Sequence, residues 1–142
     1  MNYLLDTNII SERSKPGPEE SCLAWLDAHQ PDCYISTITL AKLGYGVERL
    51  PEGKRKRTLA RKLEFLREDY RENVLAFDEN AAAEWSRHLA RLEQQLGAGS
   101  LDQLDYPDTQ IAAIALVHGL TVVTNNQKDF PAVDTVNPCI GS

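Results

Sequence analysis

The regular alternation of short apolar runs with longer stretches of helical periodicity limits the possible folds more than any other feature of this chain. The apolar runs predict strands at residues 3–5, 33–36, 73–77 and 120–123, with an edge strand at 134–136. Apolar residues spaced three or four apart predict helices at 19–29, 37–50, 54–71, 82–96 and 107–118. No hairpin turn joins the strands, so the pattern predicts a three-layer α/β/α fold with a central parallel sheet, a single domain over residues 1–142.

Charge, hydropathy and cysteine usage exclude several classes of protein. The net charge of −6 disfavours a general nucleic-acid coat, because non-specific affinity comes from cations that displace counterions. The sequence has no apolar run near the ~20 residues of a membrane span and no signal peptide, so we expect a cytoplasmic protein without membrane association. Cys22, Cys33 and Cys139 are odd in number and lack C-x-x-C spacing, which predicts free thiols and argues against a disulfide framework or a zinc knuckle.

Positive charge is concentrated in one predicted helix. Eight of the 15 Lys and Arg residues fall between positions 54 and 71, while Leu59, Leu63, Leu66 and Tyr70 form its apolar face. A solvated helix face and a phosphate-binding surface both explain such a run, and the sequence leaves both open.

Polar residues follow the predicted strands where the carboxyl ends of a parallel sheet meet. These strand ends carry Asp6, Ser36 and Thr37, Asp78, and residues 124–126. Asp108 lies in the first turn of a buried helix, and Asp129 lies in the loop after a strand. Each residue alone fits a turn or helix-start role. Together, clustered carboxylates require protonation, a basic partner or a divalent cation, and oxygen ligands point to Mg²⁺ or Mn²⁺.

Four segments of the chain resemble the successive motifs of the PIN-domain ribonucleases, in the right order and over nearly the whole length. They are LLDTN at 4–8, STITLAKLGYG at 36–46, PDTQIAAIA at 107–115 and TNNQKDF at 124–130. The similarity is greatest to the VapC and FitB-like toxins of type II toxin–antitoxin systems. It implies a Mg²⁺- or Mn²⁺-dependent endoribonuclease toxin with RNA as substrate, a cognate antitoxin as partner, a homodimer, and operator DNA bound only through the antitoxin.

The resemblance also assigns roles to individual residues. Asp6 is implied as the first catalytic acid and metal ligand and Asp108 as the third, while Asn126 or Asp129 supplies the fourth. Thr7, Asn8 and Thr124 are implied as supporting residues around these ligands. The basic helix becomes the candidate RNA-contact surface, with Arg55, Arg57 and Arg61 as its candidate contacts.

Lys42 departs from the family pattern. The family's second acid is a glutamate in T-x-x-E-L, whereas this chain has Thr39-Leu40-Ala41-Lys42-Leu43. An ammonium group there removes a metal ligand, is expected to pair with Asp6 and Asp108, and occupies space that the metal needs.

The origin and consequence of Lys42 have several explanations that the sequence leaves open. The lysine is an introduced inactivating substitution, a natural inactivating change, or a residue tolerated with one metal bound by the remaining acids; its ammonium could also extend to solvent. The principal functional hypothesis is a toxin ribonuclease impaired by Lys42. The alternative is a catalytically inactive homologue acting as an antitoxin-binding or operator-complex module.

Overall fold

The computed structural model describes residues 1–139, which form a five-stranded parallel sheet in the order β3-β2-β1-β4-β5. The strands are β1 (Tyr3–Leu5), β2 (Cys33–Ser36), β3 (Val74–Leu75), β4 (Thr121–Val123) and β5 (Thr135–Val136). The predicted parallel sheet is therefore confirmed. The strand order reverses between β1 and β4, and such a reversal opens a crevice at the carboxyl ends of the two strands.

Six helices surround the sheet on its two faces. They are α1 (Thr7–Glu12), α2 (Glu20–His29), α3 (Thr37–Glu48), α4 (Lys54–Asp69), α5 (Glu79–Leu96) and α6 (Tyr106–His118). Consecutive strand residues point to opposite faces, so Leu4 packs with Ile111 and Ile114 of α6, whereas Leu5 packs with Leu26 of α2. These two apolar clusters produce the predicted three-layer α/β/α architecture.

Helix α1 is the one α-helix of residues 1–139 that the sequence pattern did not predict. It spans six residues directly after β1, and the Asp6 carboxylate caps its start by accepting a hydrogen bond from the Thr7 amide at 2.7 Å. Six residues are too few to display a helical period, and Asp-Thr-Asn also fits a turn. The chain therefore enters a helix immediately at the residue predicted to end the first strand.

The prediction of three free thiols is wrong for two of the cysteines. Cys22 of α2 and Cys139 form a disulfide, with a Cα–Cα distance of 4.4 Å and a sequence separation of 117 residues. Cys33 is a buried free thiol. The spacing of the cysteines could not reveal this pair, because β5 returns the end of the chain to α2 only in the folded state.

The structure bears on membrane association in one respect. None of the helices formed by residues 1–139 is both long enough and apolar enough to cross a bilayer.

Candidate active site

Asp6 lies at the crevice between β1 and β4, where its position is fixed by three hydrogen bonds. Its backbone amide donates to the carbonyl of Val123 at 2.9 Å. Its Oδ1 accepts from the Thr7 amide at 2.7 Å, and its Oδ2 accepts from the Thr124 hydroxyl at 2.9 Å. The side chain is almost completely buried, so both of its oxygens are held in one orientation.

Lys42 of α3 and Asp108 of α6 meet at the same crevice. The Lys42 ammonium lies 3.5 Å from Asp108 Oδ1; the side chains of Lys42 and Asp108 are 32% and 11% exposed, respectively. The lysine thus reaches Asp108 from the protein surface and keeps part of its hydration. The prediction that Lys42 pairs with Asp6 and Asp108 is met for Asp108, while none of the ion pairs within residues 1–139 joins Lys42 to Asp6.

The carboxyl groups of Asp6 and Asp108 both favour protonation more than an exposed aspartate does. Burial raises the pKa of Asp108 to about 6, and Lys42 opposes that rise while Asp6 and Asp129 add to it. Burial also raises the pKa of Asp6, against the hydrogen bonds from Thr124 and Thr7 and the charge of Lys42. One ammonium group therefore compensates the acids only in part.

A chain of hydroxyl groups borders Asp6 on the α3 side. Thr7 Oγ1 lies 3.2 Å from Thr39 Oγ1, and the Ser36 hydroxyl donates to Thr39 Oγ1 at 3.3 Å. Ser36 also caps α3 by accepting from the Thr39 amide at 3.0 Å. Ser36 and Thr39 were not among the predicted site residues. Their sequence signal was present, because Ser36 is a helix cap and Thr39 precedes Lys42 by one turn.

The loop after β4 contains Asp129, whose charge acts on the two acids, and Asn126, whose backbone contacts Thr124. The negative charge of Asp129 raises the pKa of both Asp6 and Asp108. The Asn126 amide donates to Thr124 Oγ1 at 3.0 Å, a backbone contact that helps to orient the Thr124 hydroxyl. Asn8, predicted as a supporting residue, is exposed on α1 and joins none of these hydrogen bonds among residues 1–139.

The candidate ligands have the oxygen chemistry of a divalent-cation site, but they are too far apart to surround an ion closely. Asp6, Asp108 and Asp129 offer oxygen atoms, which Mg²⁺ and Mn²⁺ prefer. Within residues 1–139, however, these three carboxylates do not lie within 4.8 Å of one another as a set. With Lys42 placed against Asp108, the arrangement suits a weakly held single cation better than a tight site.

Asp78 shows that a strand-end acid need not belong to the site. It follows β3, but its carboxylate accepts a hydrogen bond from the Ala81 amide at 3.0 Å and caps α5.

A groove of about 780 Å³ extends from Thr7 and Lys42 along α3 and α4. Its floor includes apolar residues such as Leu43, Leu63 and Leu66. Its lining contains six cationic side chains: Arg13, Lys15, Lys42, Arg49, Arg55 and Lys62. Asp69 is the one acidic residue in that lining within the described part of the chain. Of the predicted RNA contacts, Arg55 lines this groove, whereas the exposed Arg57 and Arg61 do not.

Residues 3–136 match the model of the PIN domain family, to which the chain therefore belongs. It is 38% identical over 135 residues to toxin FitB of Neisseria gonorrhoeae, covering 92% of each chain. It is 34% identical over 139 residues to VapC ribonuclease Y4jK of Sinorhizobium fredii, covering 95% of this chain and 96% of the relative. The solved structure of FitAB bound to the IR36 DNA fragment has a TM-score of 0.86 and 35% identity, with 99% and 97% of the two chains covered.

These relatives define the branch of the family. The chain is a PIN-domain protein of the VapC and FitB-like group of toxins, as its sequence motifs implied.

Proposed function

We propose that this chain is an endoribonuclease toxin of a toxin–antitoxin pair, in which Asp6, Asp108 and Asp129 form the catalytic acid cluster and Lys42 impairs cation binding. The observation that carries the proposal is the contact of 3.5 Å between the Lys42 ammonium and Asp108 at the crevice that also holds Asp6. The ribonuclease and toxin names of its relatives support the reaction class. We place the protein in the bacterial cytoplasm, where RNA is available.

Each residue of the cluster has a distinct task in this proposal. Asp6 and Asp108 would hold the Mg²⁺ or Mn²⁺ ion, with Asp129 or Asn126 as the further ligand. The ion would supply an activated water and charge neutralisation at the phosphate. Thr124 and Thr7 keep the Asp6 oxygens oriented towards the crevice. Lys42 competes with the ion for Asp108, so it lowers the occupancy of the site.

The groove beside Lys42 is the proposed path of the RNA strand. Its cationic side chains can neutralise phosphates without selecting a base sequence, and its lining includes Thr7 and Lys42, which border the acid cluster. Arg55, Arg49 and Lys62 contribute charge there. Arg57 and Arg61 remain candidates for weaker contacts from the exposed side of α4.

Cleavage of RNA by the chain and by Lys42→Glu tests the proposal. With Mn²⁺ or Mg²⁺ present, the glutamate variant is expected to cleave at least tenfold faster because it regains a ligand and loses a competing cation. Arg87→Glu on α5 makes the same change in charge away from the crevice and is expected to leave cleavage unchanged. Equal and robust cleavage by the chain and by Lys42→Glu would contradict the proposed role of Lys42.

A catalytically inactive homologue that binds an antitoxin is the second candidate, and Lys42 also favours it. An ammonium group that partly offsets the charge of Asp108 makes a metal less necessary for a stable fold. The similarity to FitAB bound to DNA supports a protein partner, proposed to be an antitoxin, with operator DNA reached through that partner. A homodimer is part of the same proposal. Titration with Mn²⁺ separates the candidates: a nuclease binds the ion measurably, and failure of Lys42→Glu both to bind Mn²⁺ and to cleave RNA would favour the binding module.

A further inference from the structure

A second cluster of reactive side chains lies at the far end of α1, away from the acid cluster. Helix α1 begins beside Asp6 and ends at Glu12, whose carboxylate is buried. The donor atoms of Glu12, Cys22 and Cys139 all lie within 4.8 Å of one another, and the two cysteines are joined as a disulfide. The proposed ribonuclease reaction uses none of these three residues.

Glu12 connects the sulfur atoms to the loop that follows α1. Its Oε2 accepts a hydrogen bond from the Glu19 amide at 2.8 Å and lies 3.1 Å from the Lys15 ammonium. These contacts close the loop of residues 13–19 onto the end of α1. Arg13 and Lys15 of that loop line the cationic groove, so the groove rim is held by a carboxylate that packs beside the disulfide.

The three cysteines differ in their access to a reagent in solution. Cys22 is fully buried, whereas Cys139 is partly exposed near the end of the chain. Cys33 is buried, its thiol donates to the His29 carbonyl at 3.3 Å, and burial raises its pKa to about 11. Because exchange needs access to a sulfur atom, Cys139, the one partly exposed cysteine of the three, is the point of entry, whereas Cys33 does not pair with another cysteine.

We propose that Cys22 and Cys139 are a reversible thiol–disulfide modification site whose exchange partner is a small disulfide of the glutathione class. Formation of the Cys22–Cys139 bond starts when the Cys139 thiolate attacks one sulfur of the external disulfide and releases one external thiolate. The Cys22 thiolate then attacks Cys139 and releases the second. Two protein thiols lose two electrons, the external disulfide gains them, and the two protons pass to the released thiolates. A dithiol reductant reverses the reaction.

The Cys22–Cys139 bond joins the segment after β5 to α2 and constrains the unfolded chain. The bond closes a loop of 117 residues in sequence separation. Loops of this length give large stabilisation in the chain-entropy account, which for a domain of this size corresponds to a rise in Tm of roughly 15 °C. Opening places two thiol groups beside Glu12, where they compete with the Glu19 amide for its oxygens. Hydrogen exchange of that amide is therefore expected to be faster in the reduced chain.

The test compares one unmutated chain treated with glutathione disulfide or with dithiothreitol. Labelling with a maleimide after unfolding is expected to detect all 3 cysteines in the reduced sample and Cys33 alone in the oxidised sample. The oxidised sample is expected to melt roughly 15 °C higher. Cys33→Ser is the matched control that keeps this difference, and Cys139→Ser is expected to remove it.

Three results would overturn the modification site. They are full labelling after treatment with glutathione disulfide, a glutathione adduct that persists on Cys139, and equal melting of the oxidised and reduced chains. The comparison of redox states needs no substitution, so a variant that fails to fold leaves the answer intact. No step of the test measures RNA cleavage, so its outcome is independent of the ribonuclease proposal.

Discussion

Replacing Asp108 by asparagine is expected to stabilise the fold at neutral pH. Burial raises the pKa of Asp108 from 3.8 to about 6, so between these values the folded chain binds more protons than the unfolded chain. The free energy of unfolding that this group contributes therefore falls as the pH rises from about 4 to about 6. At ~1.36 kcal/mol per pKa unit, the difference between 3.8 and 6 corresponds to about 3 kcal/mol. Loss of the partly exposed pair with Lys42 offsets part of this, leaving an expected gain of about 1–3 kcal/mol.

Urea-induced unfolding between pH 4 and pH 8 measures this effect in the unmodified chain and in Asp108→Asn. The two proteins are expected to be most alike at the acidic end, and the variant is expected to gain relative stability up to about pH 6. Asp102→Asn replaces an exposed aspartate and serves as the control, with little change expected at any pH. A difference that is independent of pH, or an asparagine variant that is less stable at pH 7.5, would refute the reasoning.

His88 and Arg55 allow two further tests, one of stability and one of RNA binding. His88 is buried, and its Nδ1 has no hydrogen-bond partner among residues 1–139. Burial lowers the pKa of His88 below 6.5, so the folded protein is expected to lose stability as the pH falls below about 6.5. His88→Leu is expected to flatten that acid-side loss of Tm, and an unchanged slope would contradict the assignment. Arg55→Ala is expected to weaken RNA binding and to reduce the salt dependence by about one phosphate contact, a slope change of roughly 0.7, whereas Arg61→Ala should change little. Fluorescence anisotropy with labelled RNA across salt concentrations distinguishes these two variants.

The fold was predictable because its strands are buried on both faces and therefore appear as continuous apolar runs. Leu4 and Leu5 pack into opposite apolar layers, and Val122 and Val123 do the same in β4. The sequence pattern did not predict the register between β1 and β4 or the start of α1. The register depends on pairing between residues more than a hundred positions apart, and the start of α1 depends on the capping hydrogen bond of Asp6.

The candidate site was predictable where a strand end fixes a residue, and it was not predictable where packing decides. Asp6 and Thr124 follow neighbouring strands, so their contact follows from the sheet. The contact of Lys42 with Asp108 also follows from placing the first two turns of α3 and the start of α6 over one sheet edge. By contrast, the hydroxyl chain through Thr39 depends on how closely α1 and α3 pack, and no periodicity in the sequence reports that distance.

Lys42 partly compensates the buried acids at the crevice. Asp6 and Asp108 are both buried with raised pKa values, and the partly hydrated ammonium of Lys42 offsets some of their charge. A glutamate at position 42 would add a fourth carboxylate to Asp6, Asp108 and Asp129, and a cation would then have to relieve the repulsion. Lys42→Glu is therefore expected to melt at a lower temperature than the unmodified chain in EDTA and to recover with Mn²⁺, since an ion that binds only the folded state stabilises it. If Lys42→Glu melted at the same temperature with and without Mn²⁺, the acids at this crevice would not constitute a cation site.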